Sequence, residues 1–191
     1  MILESLNEYQ LRKAVSNQNQ ILVGKFDGFS WIRCVGKGSF SNSPQMKQWA
    51  ETHVATGRNC VVVDLELCTG MDSTFMGTMA GIAMRLAKLP DGALQVTGAN
   101  EKNRNSLEDL GLSMLLEIEP KETGWRDNIT TIRNSLQESS VTSAVDRAQH
   151  VFDAHKLLCE ADETNDEKFS TVLDVLEAEL ENRIQRGQNN S

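Results

Sequence analysis

Val61-Val62-Val63-Asp64-Leu65-Glu66-Leu67-Cys68-Thr69-Gly70-Met71-Asp72-Ser73-Thr74-Phe75-Met76-Gly77 is the stretch from which the rest of the chain can be ordered. Cys60 and the three valines lead into Asp64-Leu65 without polar alternation, the pattern of a strand covered on both faces and placed at a sheet centre. Thr69-Gly70-Met71-Asp72-Ser73 then turns the chain. Phe75, Met76, Met79, Ala80, Ala83, Leu86 and Leu89 recur at helical spacing until Pro90-Asp91-Gly92 stops them. A buried strand, a tight loop and a helix follow one another, and the loop delivers an Asp-Ser pair to the helix start. There either side chain can cap free backbone N–H groups, and the helix dipole favours a negative group. The simplest role of Asp72 or Ser73 is therefore that of an N-cap.

Upstream, residues 21–26 and 29–35 are strand-like runs separated by Asp27-Gly28, a strong hairpin signal, so the sheet opens with an antiparallel pair. Ser43 before Pro44 offers an N-cap with proline at the first helical position, and a helix is expected over 44–56. Downstream, a strand is expected at 93–98, a helix at 105–110 ending at Gly111, and a last short strand at 114–118. Strands alternating with helices imply a mixed, mostly parallel α/β sheet.

The flanks differ. Residues 1–18 carry a weak helical pattern through Leu3, Leu6, Tyr9 or Leu11, and Ala14. The central unit spans 19–120, and 121–138 reads as a connector that Trp125 pins to it. From 139 to 186 a helical hairpin is expected: Val141, Val145, Ala148, Phe152, His155 and Cys159 mark one face, and Phe169, Val172, Leu173, Leu176, Leu180 and Ile184 another. The acidic run 160–167 forms the polar turn between them, and 187–191 reads as a disordered tail. The stripe from Phe169 to Leu180 needs a cover, either the sheet or a second subunit in a homodimer.

The chain carries 19 basic and 27 acidic residues, a formal net charge of −8, which argues against a general nucleic-acid binder. Residues 121–191 hold 8 basic and 14 acidic residues, so most of the imbalance sits in the last third. Cys34, Cys60, Cys68 and Cys159 form no close cluster and read as reduced thiols in a cytoplasm. The longest near-apolar stretch, 75–84, is far shorter than a membrane span, and the first residues lack an export pattern.

From residue 21 to residue 118 the sequence resembles a STAS domain, the fold of sulphate-transporter cytoplasmic domains and of bacterial anti-sigma factor antagonists. The resemblance is carried by a strand ending in Gly38-Ser39-Phe40, the strand Val61-Val62-Val63-Asp64-Leu65, the Met71-Asp72-Ser73 segment leading to Gly77, and Leu107-Glu108-Asp109-Leu110-Gly111-Leu112 near the end. It implies a protein-binding regulator rather than an enzyme, phosphorylated on Ser73, with Thr74 a secondary acceptor. The kinase implied is an anti-sigma factor of the histidine-kinase-like ATPase type, opposed by a phosphatase. The partner face implied comprises Ser41, Asn42, Asp72, Thr74, Phe75, Met76 and Gly77. No cofactor is implied, since the kinase supplies nucleotide, metal and base. The chain departs from the family pattern at Phe75, where glycine is common, and at Ser41-Asn42, where the family has leucine and an acidic residue. Phe75 either packs under the sheet or stands at the docking surface.

Other chemistry is weaker. Met71, Met76, Met79 and Met84 at helical spacing read as core filling. His155 and Cys159, with His150 a turn before, share a helix face but cannot close a metal shell. Asp64 and Glu66 point the same way from a strand and are expected to cap or to face solvent. No G-x-S-x-G surrounds Ser73 and none of the three histidines lies near it in sequence, so a Ser-His hydrolase is not expected. Gly36-x-Gly38 lacks the third glycine of a dinucleotide fingerprint. A constitutive scaffold that uses the same face to assemble oligomers is the alternative to the switch.

Overall fold

The computed structural model describes residues 19–139 and 146–189. The expected helix in 1–18 lies outside them. β1 (Gln20–Lys25) and β2 (Phe29–Gly38) form the antiparallel hairpin, turning at Gly28 with φ +80°. After α1 (Ser43–Val54), β3 (Cys60–Asp64) pairs with β2 in parallel. β4 (Cys68–Met71) leads into α2 (Ser73–Leu86), and β5 (Ala93–Thr97) is followed by α3 (Glu101–Glu108). β6 (Glu117–Ile118), α4 (Ile129–Ser135) and β7 (Gln137–Glu138) complete the sheet region. The strand order is β6-β5-β3-β2-β1-β7, with β4 paired to β2 off this path. Parallel pairing joins β2, β3, β5 and β6, while β1 and β7 are antiparallel additions at one edge. This is the mixed, mostly parallel sheet opened by a hairpin that the sequence implies.

The valine run has no polar alternation because both faces of β3 are covered. Val61 and Val63 join Ile32, Met46, Phe75, Met79 and Leu94 in the main core under α1 and α2. Val62 points the other way, into a smaller cluster with Trp31, Trp125 and Ile132. Trp125 pins the connector as expected: its ring meets Trp31 edge-on at 5.2 Å and its Nε1 donates to Gln95 Oε1 at 2.7 Å. The connector is more ordered than its sequence implies, since it contains α4 and β7.

Glu66 is exposed, as expected of a strand-end acid, but Asp64 neither caps a helix nor faces solvent. Asp64 is fully buried on the same face as Val62, where Arg133 of α4 donates from Nε and Nη2 to its two oxygens at 2.9 and 3.0 Å. Arg133 Nη1 also donates to Glu66 at 2.7 Å, and Arg33 of β2 pairs with both acids. A buried carboxylate requires such partners, and this one fastens α4 to the sheet.

Several boundaries shift. Asn42, not Ser43, is the residue before α1, and the Ser43 side chain is bonded elsewhere. Part of the expected turn at 69–73 is β4, because its backbone can complete a ladder with Gly36–Gly38 of β2. The helix expected at 105–110 begins earlier, since Asn100 caps it by accepting from Asn103 N–H at 2.8 Å. The strand expected at 114–118 is reduced to β6, and Leu112–Met114 is a 3-10 turn with Met114 88% exposed.

The helical hairpin is present as α5 (Arg147–Ala161) and α6 (Thr164–Asn189). Val141 and Val145 lie outside the described residues. The turn is only Asp162-Glu163, shorter than the acidic run, because Glu160 still belongs to α5 and Thr164 already starts α6. α6 runs to Asn189, past the expected tail boundary. α5 lies on α2, with Leu158 fully buried in the main core and Phe169 of α6 packed against that core. Farther along α6, Leu173, Leu176 and Leu180 are half-buried, while Val172, Val175 and Ile184 remain exposed.

Removing the Arg133 side chain leaves Asp64 buried with Arg33 alone, so Arg133→Ala is expected to cost about 3 kcal/mol, the low end for breaking a buried pair. Urea unfolding followed by tryptophan fluorescence measures it. A loss no larger than the roughly 0.5 kcal/mol of a surface pair would contradict the role assigned to this cluster.

Candidate functional site

Asp72 and Ser73 stand where β4 ends and α2 begins. Asp72 has extended backbone, φ −91° and ψ 169°, as an N-cap requires. One carboxylate oxygen accepts the Phe75 N–H at 2.8 Å and the other the Phe40 N–H at 2.9 Å. Its own N–H donates to Gly38 O at 3.0 Å. One side chain thus caps α2 and ties the loop after β2 to it. In that loop Asn42 is buried, accepting from Ser39 N–H at 2.8 Å and donating to Lys37 O at 2.9 Å, while Ser41 is exposed beside Ser39. Phe75 is fully buried with its ring against Gly38, which settles its place as under the sheet. Thr74, Met76 and Gly77 are buried as well. Met76 and Met79 are core filling as expected.

What covers the Ser73–Gly77–Gly81 side of α2 is α5. A Cβ on Gly77 would stand 2.2 Å from the carbonyl oxygen of Ala154, and one on Gly81 would stand 2.6 Å from Leu157 Cδ1. With the backbones this close, two histidines of α5 reach the starts of two other helices. His155 Nε2 lies 2.9 Å from Ser73 Oγ, and His150 Nε2 lies 2.8 Å from Ser43 Oγ. His155 Nδ1 is 2.8 Å from Val151 O. A carbonyl only accepts, so Nδ1 carries the ring proton, and in the neutral ring Nε2 is left to accept the Ser73 hydroxyl.

A histidine therefore does approach Ser73, contrary to the expectation from their separation in sequence. The pair has the hydrogen bond that a general base makes with a nucleophile. It lacks the remainder of such a site. The His155 N–H is oriented by a carbonyl of its own helix rather than by a carboxylate, and the ring is only 4% exposed and edge-on to Phe169. The cavity of about 190 Å3 between α1, α2 and α5 is lined by Lys47, Val54, Ile82, Arg85, Asp153 and Leu157 among others, and Ser73 does not open onto it. Among the described residues no group of His, Cys, Asp and Glu could hold a metal, and the His155 considered for one is engaged with Ser73.

The sequence reading finds Asp72, Ser73 and their loop, takes Ser43 for a cap and weighs His150 and His155 only as metal ligands, and misses Ala154 and both Ser–His pairings. Two signals were available. Ser73, Gly77 and Gly81 recur every four residues, a face of α2 with almost no side chain. Ala148, Ala154, His150 and His155 make the buried face of α5 small or polar rather than aliphatic.

No protein-family model and no curated protein matches the sequence. Among solved structures, the chain is similar to an anti-sigma factor antagonist from Mycobacterium paratuberculosis, at 20% identity and TM-score 0.48 over 61% of this chain and 96% of that one. It is similar to TM1081 of Thermotoga maritima at 18% identity and TM-score 0.48, covering 58% and 92%. It is also similar to the anti-sigma factor antagonist SpoIIAA in its unphosphorylated form, at 17% identity and TM-score 0.48, covering 60% and 96%. The likeness is one of fold, at TM-scores below 0.5.

Burial holds the His150 pKa below its ordinary value, with Lys47 acting in the same direction and Asp153 and Asp72 opposing. Its folded-state pKa lies below the unfolded one, so its contribution is complete above about pH 6.5 and is lost as pH falls below that value. Unfolding midpoints at pH 7.5 and 5.5 should show less destabilisation on acidification in His150→Gln, which keeps an acceptor for Ser43 without titrating, than in the parent. Equal losses would contradict this assignment.

Proposed function

We propose that the chain is a STAS-type protein-binding regulator resembling an anti-sigma factor antagonist, acting in the cytoplasm and switched by reversible phosphorylation of Ser73. The observation that carries this reading is Ser73 in the first position of α2, directly after an Asp72 that both caps the helix and holds the neighbouring loop. A phosphate there meets the positive end of a helix dipole, so the fold tolerates it, while its charge and bulk change what the face can dock. The kinase is a serine kinase of the histidine-kinase-like ATPase type that is also the anti-sigma factor, and a phosphatase resets the switch. Thr74, buried in α2, is the secondary acceptor; Ser41, at the exposed rim of the loop, belongs to the docking surface. Among the described residues no helix is long and apolar enough to cross a membrane.

The second reading is a constitutive scaffold, and the specific observation in its favour is that α5 buries the Ser73 face. The two differ in the outcome of one experiment. Incubation of the full chain with ATP and a histidine-kinase-like ATPase from the source cell should place phosphate on Ser73, and Ser73→Asp should weaken capture of that kinase. Absence of phosphate on Ser73 together with unchanged capture by Ser73→Asp would sink the switch and leave the scaffold.

An esterase role for the Ser73–His155 pair is tested separately with p-nitrophenyl acetate. The parent is expected to release nitrophenol no faster than Ser73→Ala. A stoichiometric burst lost in that variant would reverse the assignment of the chain as a non-enzyme.

A further inference from the structure

We propose that α5 is a displaceable cover, an intramolecular occupant of the face that an external partner or kinase must reach, so that the chain holds its own switch closed. This rests on the reading of Ser73 as the switch. Closure is direct: Ser73, half-buried, is hydrogen-bonded through Oγ to His155, and the Ala154 carbonyl seats against Gly77.

Most of the interface beneath α5 is small or polar, and the helix enters the main core only near its far end, through Leu158. The residues α5 buries are Ala148, His150, Ala154, His155 and Leu158, of which Leu158 alone is a large aliphatic side chain. The surface beneath it is equally spare: Ser43 of α1, then Ser73, Gly77, Thr78 and Gly81 of α2. Lifting the part of α5 that carries His150, Ala154 and His155 would thus uncover mainly hydroxyls and glycine backbone, which water can solvate at small cost, while Leu158 keeps the far end in the core. The core proper has the opposite character, with Phe75, Met79 and Leu86 fully buried on the inward side of α2. α6 supplies a tether at the far end of α5. Asn165 Nδ2 donates to Leu110 O at 3.1 Å and Leu158 O at 2.8 Å, and Lys168 Nζ donates to Asp109 O at 2.7 Å. These bonds return the helix to its seat after opening.

Phosphorylation and closure exclude each other. Phosphoryl transfer forms the Ser73 Oγ–P bond and breaks the bond from the γ-phosphorus of ATP to its bridging oxygen, releasing ADP and the hydroxyl proton. The product oxygen has no hydrogen to donate to His155, and its phosphate needs the volume that α5 fills. Modification therefore requires the open state and then holds it.

Hydrogen–deuterium exchange on the full chain, with no kinase present, tests the cover independently of the switch. Amides of 147–161 are expected to exchange at least roughly tenfold faster than those of β3, as a locally opening unit does. Gly77→Ala, whose new methyl group meets the Ala154 carbonyl, should speed them by roughly a further tenfold while β3 is unchanged. Alkylation by iodoacetamide at a Ser73→Cys position should rise in parallel. Exchange of α5 at the same rate as β3 in the parent chain would overturn the proposal, whether or not the glycine variant folds. Rapid α5 opening in a chain that the kinase leaves unmodified at Ser73 would uphold the cover and fail the switch.

Discussion

The approach of α5 to α2 at Gly77 is the contact on which the arrangement of the site depends. The carbonyl oxygen of Ala154 occupies the place where any other residue would carry a Cβ. Because the two backbones meet there, the imidazoles on either side of Ala154 reach two separate serines, one at the start of each helix beneath. A larger residue at position 77 would part the helices and break both bonds together. The glycine is thus a distance-setting device, and the Ser–His pairs are its consequences.

The central sheet was legible because its signals are local. Asp27-Gly28 between two strand-like runs specified the hairpin, and the valines of β3 specified a strand covered on both faces, as the separation of Val62 from Val61 and Val63 into two clusters demonstrates. Asp72 was legible as a cap for the same reason, since its partner Phe75 is three residues away. Ser43 was misread because a capping hydroxyl and a hydroxyl bonded across the molecule look alike in sequence. His155 was beyond reach because its partner lies 82 residues away and the chain between them turns through the whole sheet. The Asp64 cluster was misread for a similar reason: nothing near the strand announces that an arginine 69 residues later will lie against it.

Asp72 serves both the fold and the site. Its two oxygens fasten the loop after β2 and the first turn of α2, so the segment that would present Ser73 to a partner is rigid even if α5 departs. The ion-pair cluster on the opposite face of the sheet anchors α4 without touching this segment. The proposed opening is thereby confined to the hairpin, and the platform beneath it stays fixed. That division of labour separates this chain from a bare sheet-and-helix unit: its C-terminal hairpin is a structural element laid over the platform.

Imidazole nitrogen shifts of the full chain, read by NMR, report directly on the Ser73–His155 bond at the centre of this account. His155 should carry its proton on Nδ1, against the Val151 carbonyl, and its Nε2 resonance should move when Ser73 is replaced by alanine. A His155 ring present as a mixture of tautomers, with nitrogen shifts indifferent to Ser73→Ala, would contradict the claim that α5 is seated on the switch face.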